Sequence, residues 1–100
     1  MDEEDVNILF PTAKFSISMD YNKFYELLTD EKEIIIQRSF FCYCYDNVPI
    51  STMYYTIKGK NLTYKYIIDE LIKQNLVLDC DHLYLKGFHN IKGNLYEIIM

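Results

Sequence analysis

The sequence predicts a small single domain of the α+β class, in β-α-β-β-α-β-β order, with two helices packed on one face of a mainly antiparallel sheet. Three observations predict it. Apolar residues recur with period two in some stretches and near period 3.6 in others. Turn chemistry separates those stretches at short intervals. The chain has 100 residues, 50% hydrophobic and 25% charged, which is one domain's length with enough apolar surface for a single core. The first six elements follow the split βαβ order of ferredoxin-like folds, with one further hairpin strand at the end.

Residues 1–7 read as an acidic, poorly ordered tail, with Asp2, Glu3, Glu4 and Asp5 in succession, and residues 8–100 form the domain. Ile8-Leu9-Phe10 is a short apolar stretch closed by Pro11. Ala13, Phe15, Ile17 and Met19 then alternate with Lys14, Ser16 and Ser18, the pattern of a half-buried strand. Asp20 is placed to cap a helix, and Tyr21, Phe24, Tyr25 and Leu28 recur on one helical stripe. Thr29 to Lys32 ends it.

From Ile34 to Tyr45 the chain is β-branched and aromatic, which predicts a central strand. One side carries Ile34, Ile36, Arg38, Phe40, Cys42 and Cys44; the other carries Ile35, Gln37, Ser39, Phe41, Tyr43 and Tyr45. Asp46 to Pro49 reads as a turn, and Ile50 to Lys58 as an antiparallel return strand broken by Gly59-Lys60-Asn61. The second helix has Thr63 as its cap, with Leu62 and Ile67 spaced as a hydrophobic staple. Its buried stripe is Tyr64, Ile67, Ile68, Leu71 and Ile72, its outer face pairs Lys65, Asp69 and Lys73, and Asn75 terminates it. Leu76 to Asp81 connects to strands His82–Phe88 and Leu95–Ile99, joined by a loop holding Gly93-Asn94.

Fifteen acids against ten bases give a net charge of −5, but four of the acids lie in the tail. The body is therefore nearly neutral, which weakens net charge as an argument against nucleic acid and leaves that exclusion to the missing basic and Gly-aromatic pattern. No apolar run approaches the ~18–20 residues that span a bilayer. The acidic start is the opposite of a signal peptide's basic one. Three Cys cannot complete a disulfide framework, so the reading is a cytoplasmic protein with free thiols. Asn61-Leu62-Thr63 matches a glycosylation acceptor, which has no role without secretion. Ile, Asn, Lys and Tyr have AT-rich codons, and a palette weighted toward them fits a large DNA virus or some protists.

The one metal-ligating pattern is Cys42-x-Cys44 with Cys80-x-His82. Alternate strand residues share a face, so three sulfurs and an imidazole could close a tetrahedral zinc site if the strands were neighbours. Against it, each gap is one residue rather than the usual two to four, and Cys42 and Cys44 lie in an aromatic strand where Cys behaves as a small hydrophobe. Cys80 sits between Asp79 and Asp81, whose charges disfavour a nucleophilic thiolate. His89 falls in a predicted loop, and Glu26, Glu70 and Glu97 are isolated acids with no spacing that marks an acid/base pair. With three Gly and no Gly-rich phosphate loop, serine elbow or His-Glu-x-x-His pair, nothing predicts an enzyme.

The ferredoxin-like order also serves RNA-recognition sheets, and Lys58, Lys60 and Lys65 make a small basic group around Gly59. The Lys/Arg-Gly-aromatic signature of those sheets is missing. Sixteen Phe and Tyr exceed what one small core consumes. Tyr is favoured at interfaces because its ring is apolar and its tip can hydrogen-bond. Tyr43, Tyr45, Tyr54 and Tyr55 are therefore the candidate interface residues. The expectation is a non-catalytic interaction or structural module without cofactor, self-associating as a homodimer or docking on another protein. A small zinc-binding domain using Cys42, Cys44, Cys80 and His82 is the alternative, and a weak RNA-binding module the third.

Overall fold

The computed structural model describes residues 9–38, 52–76 and 84–99. In chain order these form β1 (Ser16–Ile17), a 3-10 helix (Tyr21–Tyr25), β2 (Leu27–Thr29), β3 (Glu33–Arg38), β4 (Met53–Lys58) and β5 (Leu62–Thr63). Helix α1 (Tyr64–Lys73) follows, then β6 (Tyr84–Leu85), β7 (Gly87–Lys92) and β8 (Leu95–Ile99). The Cα radius of gyration is 13.4 Å, against about 13 Å for a compact chain of this length. A small mixed domain, rich in strand, is what the described residues form.

The main sheet has the order β4-β3-β8-β7. β3 occupies an inner position, paired along both edges, with Ile34 and Ile36 buried on one face. Antiparallel β4 sets Ile57 opposite Ile34, Tyr55 opposite Ile36 and Met53 opposite Arg38. On the other side β8 runs parallel to β3, with Tyr96 opposite Ile36, and antiparallel β7 sets Phe88 opposite Ile98. Ile34, Ile36, Tyr55, Ile57, Phe88, Tyr96 and Ile98 share one core with Ile67, Ile68 and Leu71 of α1. Arg38 is buried at the end of the same row. α1 thus covers this face, and its Tyr64 ring lies 5.9 Å from that of Phe88.

Both ends of α1 are as predicted. Thr63 accepts a hydrogen bond from the Tyr66 N–H at 3.1 Å, and Leu62 and Ile67 are both fully buried. At the other end Asn75 adopts φ 62°, while Asn75 N–H donates to Ile72 O and Leu76 N–H to Leu71 O. That is the paired 5→2 and 6→1 geometry of a Schellman cap. Leu71 and Leu76 are both buried beside it. On the outer face Lys65 pairs with Asp69 at 2.8 Å, whereas Lys73 reaches Glu70, not Asp69, at 3.2 Å.

α1 also closes the outer edge of β4. Gly59 N–H donates to Lys32 O, a bond that turns the Thr56 and Lys58 carbonyls away from β3. Gln74 Nε2 donates to the first at 3.0 Å and the Tyr66 hydroxyl to the second. A Cβ at position 59 would stand 2.7 Å from the Tyr66 ring, so the close approach of this ring needs glycine there. In the β7–β8 hairpin, Gly93 has φ 54° at the first central position of a two-residue loop, as a II′-type turn requires.

Four expectations need correcting. The predicted first helix is a five-residue 3-10 turn, capped by Asp20 accepting from Asn22 N–H at 3.3 Å. Glu26 is already extended, its carbonyl takes the Tyr64 N–H, and Leu27–Thr29 pairs with β5 instead. Isolated helices under about 12–15 residues are marginal, so a strand partner at its end overrides the periodicity. The predicted first strand shortens to Ser16–Ile17 and pairs in parallel with β6, outside the main sheet. Without it the described sheet does not have the ferredoxin-like order. Finally, His89 lies within β7, not in a loop, because the hairpin ladder continues to Lys92. The predicted strand residues beyond Arg38, the Asp46–Pro49 turn and most of the Leu76–Asp81 connector lie outside the described residues.

Candidate functional site

Covering one face of the sheet leaves the alternate residues on the other. The registers align Tyr54 of β4 with Gln37 of β3, Gln37 with Glu97 of β8, and Glu97 with His89 of β7. Those four side chains form one row across all four strands. One register step away, Ile35 lies beside Leu95 on the inner strands. Tyr54 is 61% exposed and Ile99, farther along β8, is 42% exposed. Gln37, Glu97, Ile35 and Leu95 are half-buried, and His89 is exposed.

Few groups in the row can exchange a proton. His89 and Glu97 are cross-strand neighbours, with Cβ atoms about 5 Å apart. Tyr54, the next group able to exchange a proton, is three strand spacings from His89, on the order of 14 Å. Among the described residues of this row, no hydroxyl or thiol stands beside the imidazole as a nucleophile. The face instead offers an aromatic ring, an amide, a carboxylate and an imidazole around two aliphatic side chains.

Of the residues singled out in the sequence, Cys42, Cys44, Cys80 and His82 lie outside the described residues, as do Tyr43 and Tyr45. Among the described residues no group of three or more His, Cys, Asp or Glu could hold a metal ion. Tyr54 and Tyr55 point to opposite faces: Tyr55 is 6% exposed and packs in the core, with its hydroxyl 3.8 Å from Met53 Sδ. Its ring is thus not available to a partner. The small basic group is divided between local contacts, Lys58 pairing with Glu33 at 3.3 Å and Lys65 with Asp69. Glu26 and Glu70 are likewise separate, Glu70 holding Lys73.

Sequence reasoning missed Gln37, Glu97 and His89 as members of one surface. A signal was present: Gln37 ends the run Ile34-Ile35-Ile36, and Glu97 interrupts Leu95 to Ile99. A polar residue inside an apolar strand marks its solvent side. An aromatic cluster surrounds the 3-10 helix, with Phe10 and Phe24 in the core and Tyr21 and Tyr25 exposed. Phe24 stacks edge-on with Phe10 at 5.2 Å, and the Tyr21 and Tyr25 rings lie 5.9 Å apart. Lys23 Nζ stands 5.6 Å from the Tyr64 ring centre and Lys65 Nζ 5.7 Å from that of Phe10.

These features define a small mixed α+β domain whose sheet, among the described residues, is covered by helix on one face. No protein-family model, curated protein or solved structure matches the chain. Among the described residues no helix is long and apolar enough to cross a membrane.

Proposed function

We propose that the protein is a non-catalytic interaction module that associates with itself. The observation that carries this reading is the open sheet face, where Tyr54 is 61% exposed beside half-buried Ile35 and Leu95 while α1 covers the opposite side. Exposed Tyr on a flat surface contributes apolar area together with a hydrogen-bonding tip, at little conformational cost.

Light scattering coupled to size exclusion, repeated from micromolar to millimolar loading, tests the reading. The expected result is a weight-average mass that rises from one chain toward two as concentration increases. A mass that stays at one chain throughout overturns it.

A further inference from the structure

We propose that two copies pair face to face across the open side of the sheet, about a two-fold axis that runs along the strands between β3 and β8. This rests on the self-association reading and adds to it a surface and a register. The first support is direction. β4 and β7 each run antiparallel to their inner neighbour, and β3 and β8 run parallel to one another. Strand directions therefore read the same from either edge of the sheet. A half-turn about the central line lays β4 over the partner's β7 and β3 over the partner's β8, each on a strand of its own direction. Facing sheets pack within about 30° of alignment, and isologous two-fold pairs are the commonest closed assemblies.

The second support is chemical complementarity. The half-turn keeps each row over itself. It sets Gln37 over the partner's Glu97, an amide donor against a carboxylate. Tyr54 falls over the partner's His89, and Ile35 over the partner's Leu95. Every contact occurs twice. A face of one charge sign would repel its copy, whereas this one carries the donor for its own acceptor.

The third support is layout. Ile35 and Leu95 belong to the two central strands, and Tyr54 and His89 to the two outer ones. The pair thus has Ile35 and Leu95 beside the Gln37–Glu97 contacts on its central strands, with His89 and Tyr54, a residue type favoured at interfaces, at its rim. Four strands at about 4.8 Å spacing make a patch roughly 20 Å across. With strands of six residues the patch is on the order of 400 Å², about half the ~800 Å² per partner of a standard stable interface, so the pair is reversible.

Sedimentation equilibrium on the full chain and on Gln37→Lys, Gln37→Glu and Tyr54→Ala tests the register, with thermal unfolding run on each to check the fold. The ammonium introduced by Gln37→Lys meets the partner's Glu97 at two symmetric points and tightens association about fivefold at low salt, an advantage that shrinks at high salt. Gln37→Glu sets carboxylate against carboxylate and weakens it by a similar factor. Tyr54→Ala alters no charge and weakens it severalfold. A dimer whose affinity ignores all three substitutions overturns this geometry and leaves self-association standing. A chain that stays monomeric at every concentration overturns both.

Discussion

Two segments of this chain carry the same helix-forming signals and meet different ends. Asp20–Leu28 and Thr63–Leu76 each begin with an N-cap side chain and continue with an apolar stripe of helical period. The first makes five residues of 3-10 helix and then turns into a strand. The second makes ten residues of α-helix closed at both ends. Their stripes differ in what they bury. Ile67, Ile68 and Leu71 are all fully buried on α1, whereas of the first stripe only Phe24 is, and Tyr25 is 55% exposed. Periodicity proposes a helix; continuous burial along it and a backbone cap at its end sustain one.

The sharpest way to break the comparison is to remove each segment's anchor. Phe24 is fully buried, with its ring edge-on to Phe10 and near Tyr21, so Phe24→Ala leaves a cavity that collapse of a five-residue turn cannot fill. The expected loss is about 3–5 kcal/mol, a large share of the ~5–15 kcal/mol that stabilises a typical domain. Ile67→Ala in α1 is expected to cost about 2–5 kcal/mol. Urea unfolding of both variants measures the two losses. If Phe24→Ala cost less than 1 kcal/mol, roughly the value of a surface change, the 3-10 segment would be an appendage and not part of the core.

This contrast explains what could be read in the sequence. Thr63, Leu62, Ile67 and Asn75 were legible because each acts within a few residues, through a cap, a staple or a left-handed turn. β3 and β4 were legible too, since Ile34, Ile36 and Arg38 face one way, and the Gly59 break lies where the ladder stops. The fate of Leu27–Thr29 was not, because it is decided by Leu62–Thr63, more than thirty positions away, through a Glu26 to Tyr64 backbone bond. The same applies to the candidate surface. Tyr54, Gln37, Glu97 and His89 come from four strands, and only the parallel β3–β8 pairing brings the halves of that row together. Tyr55, one position from Tyr54, shows how a single step decides between core and surface.

A smaller effect separates the two N-caps. The Thr63 acceptor satisfies the Tyr66 N–H at the start of a full helix, and its loss in Thr63→Ala is expected to cost about 1 kcal/mol. Asp20 accepts at a longer 3.3 Å from an exposed Asn22 N–H, which water can serve in its place. Asp20→Ala is therefore expected near the lower limit for such caps, about 0.5 kcal/mol. Equal losses in denaturant midpoints would mean that the 3-10 turn depends on its cap as α1 does, and the contrast drawn above would fail at this end.

A further small effect differs in sign between the two C-terminal ends. Asn75 holds φ 62°, a left-handed conformation that costs most L-residues about 1–2 kcal/mol and Asn somewhat less. Asn75→Gly removes that cost while the Schellman bonds, which use backbone alone, remain. Gly also gains freedom in the unfolded chain, which offsets part of the benefit. The net expectation is a stabilisation of a few tenths, up to about 0.5 kcal/mol. At the other segment Glu26 has φ −82° and ψ 148°, ordinary extended backbone. There a glycine relieves nothing and only enlarges the unfolded ensemble, so Glu26→Gly is expected to destabilise by about 0.5–1 kcal/mol. Thermal midpoints moving in opposite directions would place the difference between the segments in their terminating backbone. Midpoints that fall together would return it to the stripes, since neither end would then depend on left-handed geometry.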